Sequence, residues 1–168
     1  MSGLEQVKTA IAGALEQAGL PAMAAFPPDW VRQCAGPVAA VGLRTGESRG
    51  GAIGSYLGQQ VDPATLACRE LYGMRLELTV SLDIYCPPEM GAAGCDGALE
   101  KLHQAMLEGL PAGLRPTELK WEEIRWDEDT ALLLRKGSLS CSAFFTASAS
   151  GEDSPALSDF ILKGVVSK

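Results

Sequence analysis

Apolar residues recur at helical spacing over the first eighteen positions. Leu4, Val7, Ile11, Ala14, Leu15 and Ala18 form one stripe, and Glu5, Lys8, Glu16 and Gln17 lie between them. The spacing predicts an amphipathic helix, capped by Ser2 and stopped by Gly19 ahead of Pro21. A short apolar run, Ala22 to Phe26, then reaches Pro27-Pro28, as suits a strand that ends at a sheet edge. A second strand is predicted within 38–48. The strongest period-two signal follows: Met74, Leu76, Leu78, Val80, Leu82, Ile84 and Cys86 alternate with Arg75, Glu77, Thr79, Ser81, Asp83 and Tyr85. This predicts an amphipathic strand of roughly 40 Å, antiparallel to 38–48 and long enough to project from the domain. The glycine-rich connection between the two, residues 50–63, is predicted to be a flexible arm loop.

A small-residue linker, Gly91-Ala92-Ala93-Gly94, leads to a second helix with Leu99, Leu102, Met106 and Leu110 on one stripe. Asp96 is its predicted cap, and Gly109, Pro111 and Gly113 mark its end. Two further strands, Leu119 to Trp126 and Leu132 to Thr146, flank the polar turn Asp127-Glu128-Asp129-Thr130. Trp121 and Trp126 stand five apart, so regular alternation sends them to opposite faces. A C-terminal extension over 150–168 contains the spacer Gly151-Glu152-Asp153-Ser154-Pro155 and two short apolar pieces, Phe160-Ile161-Leu162 and Val165-Val166. The order predicts one α+β domain over 1–168: a mainly antiparallel β-sheet, two helices packed on one face, and a long projecting hairpin or loop arm.

Composition narrows the class. At 168 residues with 46% hydrophobic content, the chain supplies an ordinary core. A formal charge of −7 disfavours phosphate backbones and anionic membranes, so neither a sequence-specific nucleic acid nor a membrane is an expected partner. Five cysteines without a C-x-x-C pair suggest reduced thiols used as small apolar groups. No stretch approaches the length of a membrane span, and no basic region precedes an apolar run at the N-terminus, which gives a cytoplasmic expectation.

Catalytic chemistry has little to draw on. His103 is the single histidine, and no nucleophile elbow accompanies it. Glu122-Glu123 and Asp127-Glu128-Asp129 lack a calcium-loop pattern. Gly50-Gly51-x-x-Gly54 matches neither nucleotide-binding fingerprint. No catalytic residue, metal or cofactor is therefore expected. The apolar residues of the arm, Ile53, Tyr56 and Leu57, and the two tryptophans, Trp121 and Trp126, are the candidate interface residues. A reading from another class is a small-molecule-binding or enzymatic α+β domain with a pocket around Asp83, Tyr85 and His103.

The run Tyr56-Leu57-Gly58-x-x-x-Asp62-Pro63 is followed by Glu70-Leu71-Tyr72-Gly73 and then by Leu82-Asp83-Ile84-Tyr85-Cys86-Pro87. With the helix and two strands beyond them and the closing Asp159-Phe160-x-x-x-Gly164, these phrases resemble the tail terminator (tail completion) proteins of long-tailed bacteriophages and prophages. The resemblance implies a structural virion protein without enzymatic activity or cofactor. It implies a homo-oligomer, a hexameric ring, whose partners are the tail tube protein and the head–tail connector protein. Such a protein resides in the bacterial cytoplasm during assembly and then in the virion tail. Another head–tail connector or minor tail protein is the neighbouring reading.

Overall fold

Strand β4 (Cys68–Cys86) spans 19 residues and runs through the middle of the sheet. The computed structural model describes residues 3–24, 34–50, 55–110, 113–148 and 161–162. In chain order they form α1 (Gly3–Gln17), β1 (Ala22–Met23), β2 (Val38–Gly50), β3 (Tyr56–Val61) and β4. A single 3-10 turn (Pro88–Met90) then precedes α2 (Gly91–Glu108), β5 (Arg115–Asp127), β6 (Leu132–Ser148) and β7 (Ile161–Leu162). The sheet order is β1-β2-β4-β6-β5, with β3 also paired to β4 and β7 to β6. All pairings are antiparallel except that of β1 with β2. The α+β class, the two helices and the 38–48 pairing with the long strand are as the sequence predicts.

Alternation along β4 decides where the helices sit. Leu76, Leu78, Val80, Leu82, Ile84 and Cys86 face the helices and are buried. Val7, Ile11 and Leu15 of α1 and Cys95, Ala98, Leu102 and Ala105 of α2 close over them, joined by Leu139, Cys141 and Ala143 of β6. Each fully buried leucine or isoleucine contributes about 2 kcal/mol. The one ion pair between helix and sheet among the described residues, Arg135 to Asp96 at 2.8 Å, has an exposed partner in Asp96 and contributes about 1 kcal/mol or less. Apolar burial therefore holds the helices on the sheet, and the ion pair orients α2.

α1 ends as its sequence requires. The Leu20 N–H donates to the Leu15 carbonyl and the Gly19 N–H to the Glu16 carbonyl, with Gly19 at φ +79°. Leu15 and Leu20 then share the core. The second helix differs from expectation. It starts at Gly91, directly after the 3-10 turn, so Asp96 lies inside the helix and pairs with Arg135 instead of capping the N-terminus.

The segment expected to be an irregular connection also differs. Residues 56–61 form β3, antiparallel to an N-terminal extension of β4 that begins at Cys68. β2 and β3 thus lie end to end along the same side of β4. The alternation is hidden in the sequence because the register shifts between Tyr56 and Gly58.

Two glycines test the packing. A Cβ on Gly137 would stand 2.6 Å from the Leu82 carbonyl oxygen, so Gly137→Ala must open the β4–β6 ladder, whereas nothing lies within 4 Å of a Cβ on Gly97 in α2. Urea unfolding is expected to show Gly137→Ala destabilised by about 2 kcal/mol and Gly97→Ala stabilised by about 0.5–1 kcal/mol.

Candidate assembly surfaces

Beyond the helices the sheet continues as an arm made of β3, the first residues of β4 and the last residues of β6. Asp62 closes its tip. One carboxylate oxygen accepts the Ala64 N–H at 2.9 Å and the other accepts the Thr65 hydroxyl at 2.8 Å, while the Asp62 N–H donates to the Ala67 carbonyl at 3.0 Å. These bonds hold Leu66 in the left-handed region at φ +55°, with 79% of its surface exposed. That conformation costs a leucine about 1–2 kcal/mol. The tip therefore presents an apolar side chain to solvent at a conformational cost.

Lower on the arm, the Tyr56 and Tyr72 rings meet edge to face, centroids 5.6 Å apart, and the Tyr72 hydroxyl donates to Glu70. The register places Val61, Tyr72 and Met74 on the helix-bearing side of the sheet, where no helix reaches them, and Val61 is 55% exposed. Of the predicted arm residues, Ile53 lies outside the described residues, and Tyr56 and Leu57 are half-buried. The most exposed apolar groups of the arm are instead Val61, Leu66, Tyr72 and Met74. The backward continuation of the Met74–Cys86 alternation through Tyr72 carries part of that signal.

The tryptophans do not lie on opposite faces. A register shift between Trp121 and Ile124 adds a residue to β5 and restores its phase, so Trp121 pairs with Gly137 and Trp126 with Leu133, both on the helix side. Trp121 meets the His103 ring edge to face at 5.1 Å, and the His103 Nδ1–H donates to the Leu99 carbonyl at 2.8 Å. The two indoles remain 48% and 51% exposed along the flank of α2. They form a second apolar surface, on the sheet edge opposite β3.

The other sheet face is polar along most of β2 and β4, with Val38, Leu132 and Leu134 buried at one end of it. Glu47 stands opposite Glu77 and Arg49 opposite Arg75, and each arginine neutralises the glutamate of its own strand, at 3.0 Å and 2.7 Å. Asp83 and Tyr85 share this face with them, paired to Ala40 and Val38. His103 is on α2, across the sheet. The pocket expected around Asp83, Tyr85 and His103 is thus not assembled. No group of three or more metal-ligating side chains occurs among the described residues. Cys86, Cys95 and Cys141 are buried. Burial, with a hydrogen bond to Cys95, pushes the Cys86 thiol up to about 12, and burial pushes Cys141 up to about 11. Thiols so far from ionisation are packing groups.

No helix among the described residues is long and apolar enough to cross a membrane. No protein-family model matches the chain, and no curated protein matches it. Among solved structures, the chain is similar to one from the virion of a native gene transfer agent (GTA) particle. The identity is 17%, the match covers 84% of this chain and 88% of that one, and the TM-score is 0.32.

Desolvation raises the Asp83 carboxyl above its ordinary value of 3.8, against the lowering effects of the Gly137 N–H, Arg44 and Lys136. An acid whose folded value is raised stabilises the fold below its unfolded value and loses that contribution as pH rises. Asp83→Asn is therefore expected to raise the melting midpoint at pH 7, with the two proteins converging below about pH 4. Equal midpoints at pH 7 contradict this.

Proposed function

We propose that the chain is a structural protein of a tailed phage or prophage particle, a tail terminator that closes into a ring on the finished tail tube. Its partners in this reading are further copies of itself, the tail tube protein and the head–tail connector protein. The reading assigns it no reaction and no cofactor.

The observation that carries the proposal is the apolar arm. Two of the phrases on which the resemblance rests build it: Tyr56 and Tyr72 stack, Asp62 closes the tip, and Glu70 holds the Tyr72 hydroxyl. A monomer leaves Val61, Leu66, Tyr72 and Met74 in water, and covering each aliphatic side chain is worth about 1.5–3 kcal/mol. The tryptophan surface lies on the opposite edge of the sheet, at residues paired toward the far end of β6. Two unlike surfaces at opposite ends favour head-to-tail contacts, the type that closes rings, over a self-complementary pair.

Light scattering coupled to size exclusion, over a range of concentrations, tests this together with electron microscopy of purified tail tubes. The expected result is a ring-sized oligomer, six copies by the resemblance, and a cap at the tube end. Val61→Asp combined with Leu66→Asp is expected to leave a monomer whose melting midpoint is unchanged, because neither side chain lies in the core. A wild-type monomer at every concentration, with tube ends left bare, overturns the proposal.

A further inference from the structure

The sheet carries a depression beside Trp121, away from the arm. It has a volume of about 320 Å³ and is lined by Arg44, Lys120, Glu122, Lys136 and Ser138 together with Trp121 and Gly137. Three strands converge to make it. Arg44 sits at the register break of β2 between Leu43 and Thr45, Lys120 pairs with Ser138, and Lys136 falls between the pairs Ser81–Ser138 and Ile84–Arg135.

The charges here do not balance. Glu118 is taken by Lys120 at 2.9 Å, and Glu122 by Arg125 at 2.7 Å. Asp83 is left to face two cations, with the Glu122 carboxylate nearby but paired to Arg125: Arg44 reaches Asp83 only at 3.8 Å, and Lys136 is half-buried without a hydrogen bond or ion pair among the described residues. The Asp83 carboxylate also accepts the Gly137 N–H. A chain with 21 acidic and 14 basic residues thus leaves about one unit of positive charge uncompensated, in a concave and partly desolvated place. In such surroundings a cation gains most from a charge-assisted hydrogen bond to an oxyanion.

We propose that this depression is an anion site that takes a single carboxylate, an Asp or Glu side chain of a protein partner that docks on the open face. One uncompensated charge matches one carboxylate. An extended polyphosphate would also have to lie along Glu118, Glu122 and Glu123 of β5 and the Glu47–Glu77 pair, all exposed or half-exposed. The Ser138 hydroxyl supplies a further donor beside the cations.

The test is an NMR titration of the full chain with N-acetyl-glutamate amide, using N-acetyl-glutamine amide as the neutral control and a 20-base-pair DNA duplex as the polyanion. The expected result is saturable shifts at the amides of Arg44, Lys136 and Ser138 with the glutamate compound and none with the glutamine compound. Lys136→Gln is expected to weaken binding about tenfold, the loss of one charge-assisted contact. Asp83→Asn, which removes the internal competitor, is expected to tighten it. Melting curves establish that both variants are folded. Three results each overturn the proposal: no saturable shift at these residues, equal shifts with the neutral compound, or tighter binding of the duplex lost in Lys136→Gln. Weaker binding by Asp83→Asn does so as well.

Discussion

The unbroken register between β4 and β6 is the constraint on which the rest of the structure depends. From Leu71 opposite Ser148 to Cys86 opposite Leu133 the pairing never shifts. One side of β4 therefore stays on the helix face over its whole length, and a slip of one residue would exchange Leu78, Val80 and Leu82 for Thr79, Ser81 and Asp83. The helices cover that face only from Leu76 onward. Core and arm are consequently one surface, capped by helices at one end and open at the other. Met74 and Tyr72 are exposed because the alternation that buries Leu76 continues past the last helix contact.

Irregularity is confined to the flanking strands. The register shifts fall in β2 at Leu43–Thr45, in β3 at Tyr56–Gly58 and in β5 at Pro116–Glu118 and Trp121–Ile124. Pro116 and the charges on Glu118, Lys120, Glu122, Glu123 and Arg125 make β5 a poor template for another strand. Contacts through side chains are left as the route to association on that edge. One of these shifts brings Trp121 and Trp126 to the same face.

Much of the fold is legible in the residue pattern, because α1, β4 and β6 each keep one period over many residues. The assembly surfaces were less legible, for a physical reason in each case. β3 was lost behind a bulge and Gly58 at φ +133°, which break the alternation from Tyr56 to Val61. Counting by twos sends the tryptophans to opposite faces because it cannot register the extra residue after Trp121. Asp96 has the chemistry of a cap, but Pro88 starts the helical path earlier and leaves Asp96 to Arg135. The cations of the open-face depression come from positions 44, 120 and 136, which share no spacing in the sequence.

Whether the arm and the tryptophan surface meet between copies is tested most directly by mixing two blocked variants. One carries Val61→Asp and Leu66→Asp, the other Trp121→Glu and Trp126→Glu, and each keeps one of the two surfaces. Native mass spectrometry of the separate and mixed proteins gives the answer. Head-to-tail contact predicts monomers when each variant is alone and a one-to-one heterodimer, with nothing larger, on mixing. A mixture that stays monomeric, or a variant that assembles by itself as the wild type does, contradicts it.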